Sequence, residues 1–547
     1  MVRTFTELDR VRTLREALHP ESPHIKFVVE EGSDFARGLG SHIEKIGHHL
    51  LTREEAKATR FDVILAAHAT AALGELNGSV VVAPHGAGYN RLVPSSTESD
   101  EHPTGLAPIQ LTTPSGEIIP QVIVMSHEDQ IALLAASVPG AVGRAVVVGD
   151  PVFDRIVASK KRREEFRDRF KVRPGQKLVA VTSTWGKNAT MATAKRLIQL
   201  LLGQLPMDQY RVLLIMHPNI WSADSPAAVK DKLRDELDSG LVIVPPRTPW
   251  EAGLIAADIT LGDHSSLSIY AASIGCRFLL ASDGREELVP DSPLARLCAQ
   301  ATMLDVDGDL RRQIEDHLSL PPRFSADEIA STIFQEKGKS WANLRAVVRG
   351  AAGLPDLAEP PRMTPVDDPE PDFGRRTTNW LATATFGASG RTGTDRVHIE
   401  RYPGVVARTG LYPEAWQVAD HAEVDNARTL GCEILLHTHP LDRVAGEKWA
   451  VEVLGTEDEH GTAGAEVPSV VRSAGLAAYR HAGGCAIRFV RGVSDGPRLE
   501  TDTADVFSAA VVLYRLWYDG HPLDRPGTIS YCYRDGEIEK FCYRPSR

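Results

Sequence analysis

The chain has 547 residues, a formal net charge of −12, 42% hydrophobic residues and 24% charged residues. Dividing by roughly 150 residues per domain gives three or four globular units, and no run approaches the roughly 18 apolar residues of a membrane span. The acidic excess argues against a large nucleic-acid footprint and against unaided adhesion to an anionic membrane, since both depend on Lys and Arg in excess.

The first stretch, "MVRTFTELDRVRTLREAL", carries Phe5, Leu8, Val11, Leu14 and Leu18 at helical spacing and predicts an amphipathic helix, not a secretory signal. Short apolar runs then alternate with helical stretches: "IKFVVEE", "FDVILAAH", "VVVAPHG", "VIVMSHE" and "AVVVGDP". "SKKRREEFRDRFK" at 159–171 predicts a solvated charged helix, its basic run diluted by Glu164, Glu165 and Asp168. A second set of runs follows: "LVAVTSTWG", "VLLIMHPN", "LVIVPP", "DITLGDHSS" and "FLLASDG". Strands alternating with helices form parallel sheets covered by helices, so two Rossmann-like halves are expected. In open sheets of this kind ligands sit at the carboxyl ends of the strands. The polar residues found there are His68, His85, His127 and Asp150 in the first half, and Thr184, Trp185, His217, Asp263 and His264 in the second.

Residues 324–350 look helical and are expected to strap back onto the first half. The next segment, "LPDLAEPPRMTPVDDPEPD" at 354–372, packs six prolines and six acids together and predicts a semi-extended linker. Beyond it, "DRVHIERYPGVVAR", "EILLHTHP", "KWAVEVLG" and "CAIRFVRG" predict strands, with a helix near 504–518 and a closing hairpin. The expected division is 1–155, 156–350, a linker at 351–376, and a separate C-terminal α+β domain at 377–547 to which no function is given. Six cysteines without C-x-x-C spacing fit a reduced, cytoplasmic compartment. A hairpin centred on Asp535 and Gly536 would pair Cys532 with Glu539 and Cys542 with Ile529, on opposite faces and unable to bridge.

The stretch "DITLGDHSSLSIYAASIG" at 258–275 reads as a strand, a turn and a helix in quick succession. Free N–H groups and the helix dipole at such a junction favour an anion, so a phosphate is one reading and Ser265 as a plain helix cap is the other. With "TSTWG" (182–186) and "MHPN" (216–219) it lies on one edge of the expected sheet. Here the sequence resembles the CDP-glycerol glycerophosphotransferase family, the teichoic acid polymerases of the GT-B superfamily, over roughly residues 60–340. The matching positions are His85 with Gly86, Thr184 with Trp185, His217 with Pro218, and Asp263 with Ser265 and Ser266. His264 stands where the family usually has Tyr, and "PHGAGYNRL" shares only its His-Gly pair with the family's acceptor-side motif.

The resemblance implies a GT-B pair of α/β halves with His85 catalytic. Gly86, Thr184, Trp185, His217, Asp263, His264, Ser265 and Ser266 would then bind the diphosphate donor. It implies a nucleotide-diphosphate donor, a hydroxyl acceptor (a glycan, polyol phosphate or lipid-linked group), and a cytoplasmic site that extends at most to the inner face of the membrane. No metal cluster is visible on this edge and no cofactor is expected; Walker and G-x-G-x-x-G patterns are absent, against a kinase or a dinucleotide oxidoreductase. An NDP-sugar glycosyltransferase, an enzyme like UDP-GlcNAc 2-epimerase, and a silent GT-B scaffold with a partner-binding C-terminal domain are the alternatives. "CEILLHTHP" at 432–440 also resembles the His-x-His-Pro of JAMM metalloproteases, but Glu447 and Ala450 stand where that pattern wants Ser and Asp. Glu433 would lie about 13 Å from His437 along a strand, too far to share an ion.

Overall fold

The computed structural model describes residues 1–16, 18, 24–30, 36, 38–93, 102–246, 248–323, 325–386, 396–407, 411–423, 432–454, 474–491, 494–532 and 539–546. Two short strands, β1 (Lys26–Val28) and β2 (His49–Leu51), pair in parallel beside the opening helix Phe5–Glu16. The first main sheet is β3 (Arg60–Ala66), β4 (Asn77–Val82), β5 (Val122–Met125) and β6 (Ala145–Val147), all parallel and in sequence order. The second holds β7 (Lys177–Ser183), β8 (Tyr210–Met216), β9 (Val242–Val244), β10 (Ile259–Gly262) and β11 (Arg277–Leu280) in the order β11-β10-β7-β8-β9. This is the Rossmann order, and its direction reverses between β7 and β10. Both β7 and β10 are buried almost throughout, which is why they read as unbroken apolar runs and not as alternating ones.

The helix Ser340–Ala351 returns to the first sheet as expected, where Trp341, Leu344 and Val348 join Val81, Val124 and Val148 in one core. The basic stretch at 159–171 is consumed internally. Arg163 and Arg167 reach Asp258 at 2.7 and 2.9 Å, and Arg162 and Arg169 reach Asp368 at 2.5 and 2.6 Å.

Asp368 belongs to the proline-rich segment, which is extended but bound along its length. Val366 is 1% exposed, its N–H donates to Ser159 Oγ at 3.0 Å, and Arg162 holds its carbonyl. The segment ends as β12 (Asp372–Phe373), antiparallel to β9 at the edge of the second sheet. Composition predicted a spacer; buried Val366 and Pro369 and a row of arginines make it a strap.

The C-terminal part corrects the expected α+β domain. β13 (Asn379–Phe386), β14 (Arg396–Pro403), β15 (Trp416–Asp420), β16 (Ile434–His437), β17 (Leu476–His481), β18 (Gly484–Arg491), β19 (Ser494–Thr501), β20 (Gly527–Cys532) and β21 (Glu539–Pro545) close into a barrel in the order β13-β14-β20-β21-β19-β18-β17-β16-β15. The helix Val506–Tyr518 shares a core with the strands, and Ser508 through Leu513 are fully buried, as an all-round apolar helix must be. "KWAVEVLG", expected as a strand, lies largely within the helix Arg443–Leu454, because Trp449, Ala450, Val453 and Leu454 recur at helical spacing and pack on one face of the barrel.

The closing hairpin is also one residue out of the expected register. Thr528 faces Cys542, Ile529 faces Phe541 and Tyr531 faces Glu539, while the turn itself lies outside the described residues. Burying Ile529, Tyr531 and Phe541 together sets this pairing. Cys532 and Cys542 therefore share a face but sit four positions apart along it, and all six cysteines are free.

The barrel is seated on the second sheet's helices. Asp208, 2% exposed, takes two bonds from Arg401 at 2.6 and 2.8 Å and a third contact from Arg173 at 3.1 Å. Arg311 meets Glu400 at 2.7 Å, and Val406 enters the core of the second sheet. Among the described residues no helix is long and apolar enough to cross a membrane.

Candidate functional site

The loops that follow β7 and β10 flank the point where strand order reverses, and one buried carboxylate ties them together. Asp263, fully buried, accepts from Thr184 N at 2.7 Å, Thr190 N at 3.0 Å and Thr190 Oγ1 at 3.2 Å. Burial pushes its carboxyl up, against these bonds and the neighbouring His264, which act the other way. His264 is buried as well, packed on Gly284 with Nε2 3.3 Å from Glu287 Oε2. Asp263 and His264 thus shape the loops from behind and do not line the cleft.

The helix Ser266–Ser273 starts at Ser265, whose side chain caps no backbone N–H. Its φ and ψ, −105° and 161°, are nevertheless those of an N-cap residue. Ser268 Oγ turns back to Asp263 O at 2.5 Å. Ser265 and Ser266 are half-buried at the cleft edge. At the end of β8, His217 Nδ1 accepts from Asn219 N at 3.1 Å and so caps the short helix Pro218–Ala223. In the neutral imidazole this bond places the proton on Nε2, which becomes a donor.

The facing loop comes from the first sheet. After β4 the chain runs through His85, Gly86 and Ala87 to Arg91, and it docks on the second half of the site. Ala87 N donates to Ser266 Oγ at 3.2 Å, Leu92 N to Glu287 O at 2.9 Å, and Val289 N to Asn90 O at 2.8 Å. Arg91 reaches Thr184 Oγ1 at 3.3 Å, pairs with Glu287 and lies 5.5 Å from the centre of the Trp185 ring. Glu287 also accepts from Asn188 at 2.9 Å. Burial pushes its carboxyl up, but Arg91, His264 and Asn188 outweigh that and hold it below the usual carboxylate range. Beneath the loop, Arg10 and Asp150 form a buried pair at 3.0 Å, and Tyr270 donates to the same carboxylate at 3.1 Å.

These contacts bring His85 and His217 to one cleft, near enough that His85 lowers the pKa of His217. The His85 ring is open to solvent although protein crowds it closely, the position of a cleft wall. Its pKa is pushed down to about 4, first by burial and then by Arg10 and Arg91, while the Ala67 carbonyl acts the other way. That of His217 is pushed down to about 3, by burial, His85 and Arg91. His68 joins them, its ring 6.3 Å from that of His85, with its pKa pushed to about 3 by burial, His85 and Arg3. The cleft therefore presents neutral imidazoles beside a guanidinium. Trp185, 36% exposed and 6.4 Å from His217, offers an open aromatic face.

Of the expected site residues, His85, Gly86, Thr184, Trp185, His217, Ser265 and Ser266 meet at this edge. Arg91, Glu287 and Asn188 were not singled out from the sequence. Glu287 follows the strand run "FLLASDG", so the rule that flagged the other strand ends could have found it. An open hollow of about 310 Å³ beside Lys230, Leu237, Phe373 and Arg375 lies away from these loops. Its Lys230 and Arg234 are matched by Asp372 and Asp231, and it gathers no comparable set of histidines.

No family model matches the sequence, and neither does any curated protein. Among solved structures, the wall teichoic acid polymerase TagF aligns at 12% identity over 64% of this chain and 86% of its own, with a TM-score of 0.41. UDP-GlcNAc 2-epimerase from Methanocaldococcus jannaschii aligns at 14% identity over 64% and 97%, TM-score 0.41. A glycosyltransferase from Rickettsia africae ESF-5 aligns at 12% identity over 62% and 94%, TM-score 0.34.

Proposed function

We propose that the chain is a GT-B type transferase that moves a glycerophosphoryl or glycosyl group from a nucleotide-diphosphate donor to a hydroxyl acceptor, with CDP-glycerol the donor its motifs favour. One observation carries this reading: the loops at the switch point of the Rossmann-ordered sheet, with His217 and the Ser265 helix start, face His85 from the other sheet. A switch point binds nucleotides, and a helix start favours phosphate. The neutral His217 would donate from Nε2 to a phosphate oxygen, Arg91 would add a fixed positive charge, and Trp185 would offer its face to the base.

The reaction asks little else of the protein. The acceptor oxygen bonds to the transferred phosphorus or anomeric carbon, the bond to the departing nucleotide phosphate breaks, and the hydroxyl proton goes to His85. An N–H turned toward Ala67 leaves the other nitrogen of His85 free to take it. Negative charge that develops on the nucleotide is met by Arg91, His217 and the helix start, groups already in place before reaction. His85 and Trp185 both reach solvent, which favours an open cleft over the occluded one of a silent scaffold.

The test is nucleotide release from CDP-glycerol and from UDP-sugars in the presence of polyol-phosphate and glycan acceptors. Release that depends on acceptor and falls about 10²- to 10⁴-fold in His85→Ala supports the reading. Release unaffected by that substitution, or none from any donor, overturns it.

A further inference from the structure

The first sheet brings a second histidine to the cleft, and the transfer reaction leaves it without a task. His68 lies just past the end of β3, and His85 just past the end of β4, its parallel neighbour. Both rings therefore stand at the carboxyl edge of one sheet, 6.3 Å between centres and tilted by 59°. His68 is half-buried, and burial and the neighbouring His85 keep it neutral.

Gln110 fixes the tautomer of that neutral ring. Its Oε1 accepts from Gly105 N at 2.7 Å and from Ala107 N at 3.4 Å, which identifies the amide oxygen and leaves the NH2 facing His68 Nε2 at 3.2 Å. An amide NH2 only donates, so Nε2 accepts and the ring proton is on Nδ1. Among the described residues no group accepts from that Nδ1–H. His85 presents the complement: one of its nitrogens is held by the Ala67 carbonyl, and the other keeps a lone pair. The edge thus offers one donor and one acceptor side by side.

We propose that His68 binds the acceptor substrate, donating from Nδ1 to an oxygen on the carbon next to the attacking hydroxyl, so that the acceptor is a vicinal diol of the polyol or sugar kind, an assignment that rests on the transferase reading above. The attacking oxygen is the wrong target for this N–H. Its proton goes to His85 and its lone pair forms the new bond, which a second donor would hold back. The neighbouring oxygen has lone pairs to spare. Two oxygens on adjacent carbons can each take a hydrogen bond of about 2.8 Å from rings at this separation. An acceptor without the second oxygen displaces water from Nδ1–H and gives nothing back, and a donor stranded in that way is costly.

The test measures nucleotide release from CDP-glycerol and UDP-glucose with paired acceptor probes: glycerol 3-phosphate against propane-1,3-diol phosphate, which lacks the middle hydroxyl, and methyl glucoside against its 3-deoxy form. Wild type uses the diol of the active pair about 5- to 10-fold better in kcat/KM, chiefly through KM. His68→Gln keeps a carbonyl for Gln110 but has no N–H at the Nδ1 position; it loses the preference while binding cytidine or uridine diphosphate as wild type does. His68→Asn sets an amide nitrogen where Nδ1 stood and retains the preference. Should His68→Gln not fold, loss of the preference in His68→Asn overturns the proposal. Acceptor-dependent release with equal use of diol and deoxy probe by wild type, or a preference unchanged in His68→Gln, overturns it and leaves the transferase reading standing. No release by wild type with any probe overturns both.

Discussion

Ala87 N and Ser266 Oγ meet at 3.2 Å across 179 residues of sequence, so the loop that carries His85 is hung from the helix that faces it. Ser266 therefore does two things at once. It borders the proposed diphosphate site and it seats the proposed base. Ser266→Ala is expected to weaken donor binding by about 1–3 kcal/mol, the scale of a hydrogen bond to a charged group. It also lowers turnover, because His85 loses its anchor. Calorimetry with single-turnover rates separates the two effects; an unchanged rate at saturating donor would show that the Ala87 contact does not position His85.

Gly86 lies against the same hydroxyl, where an added Cβ would stand 2.4 Å from Ser266 Oγ. Gly86→Ala is expected to lift the loop, destabilise by about 1–3 kcal/mol as overpacking does, and abolish turnover. Full activity in this variant would mean the loop has slack that the packing does not suggest.

Asp150 compensates Arg10 and caps the helix Pro151–Ser159. Asp150→Asn keeps a capping side chain but strands a buried guanidinium, so unfolding in urea should show a loss of about 3–5 kcal/mol. Loss of under 1 kcal/mol would place Arg10 in contact with water.

Parallel sheets were legible because fully buried strands such as β7 and β10 are near-continuous apolar runs, and the site edge was legible because polar residues interrupt those runs at their carboxyl ends. The contacts that lock those loops together were not. Arg91 and Glu287, and Ser266 as the anchor of Ala87, acquire their roles from the packing of one sheet on the other, contacts some 180 to 200 residues apart with no local signature. The burial of Asp263 and His264 behind the loops was hidden for the same reason. The barrel escaped because β14 pairs in parallel with β20, a return that alternation of residues cannot reveal. In the proline-rich strap two buried residues, Val366 and Pro369, outweighed a spacer-like composition.

That strap bears on modularity. Arg362 is exposed, so trypsin should cut there, but β12 pairing and the Asp208–Arg401 seam should keep the nicked halves together in gel filtration. Separation of the fragments without denaturant would show that the barrel is an independent unit on a tether.

The histidines give the protein a pH signature. His217 has a folded pKa near 3, below its unfolded value near 6.5, so the unfolded chain binds the proton more readily. Its contribution to stability is complete above about pH 6.5 and is lost as pH falls toward the folded value. Wild type should lose stability faster than His217→Gln between pH 6.5 and 4.5, as read from urea midpoints; parallel curves would mean the imidazole is not held neutral.

His217 is proposed as a donor ligand and His85 as the proton acceptor, on opposite walls of one cleft. Calorimetric titration of cytidine and uridine diphosphates into wild type, His217→Ala and His85→Ala tests it most directly. Wild type is expected to bind at least one of them, His217→Ala to bind it roughly 10- to 100-fold more weakly, on the 1–3 kcal/mol scale of a charge-assisted hydrogen bond, and His85→Ala to bind it nearly as wild type does. Equal loss in both variants, or no loss in His217→Ala, would contradict it.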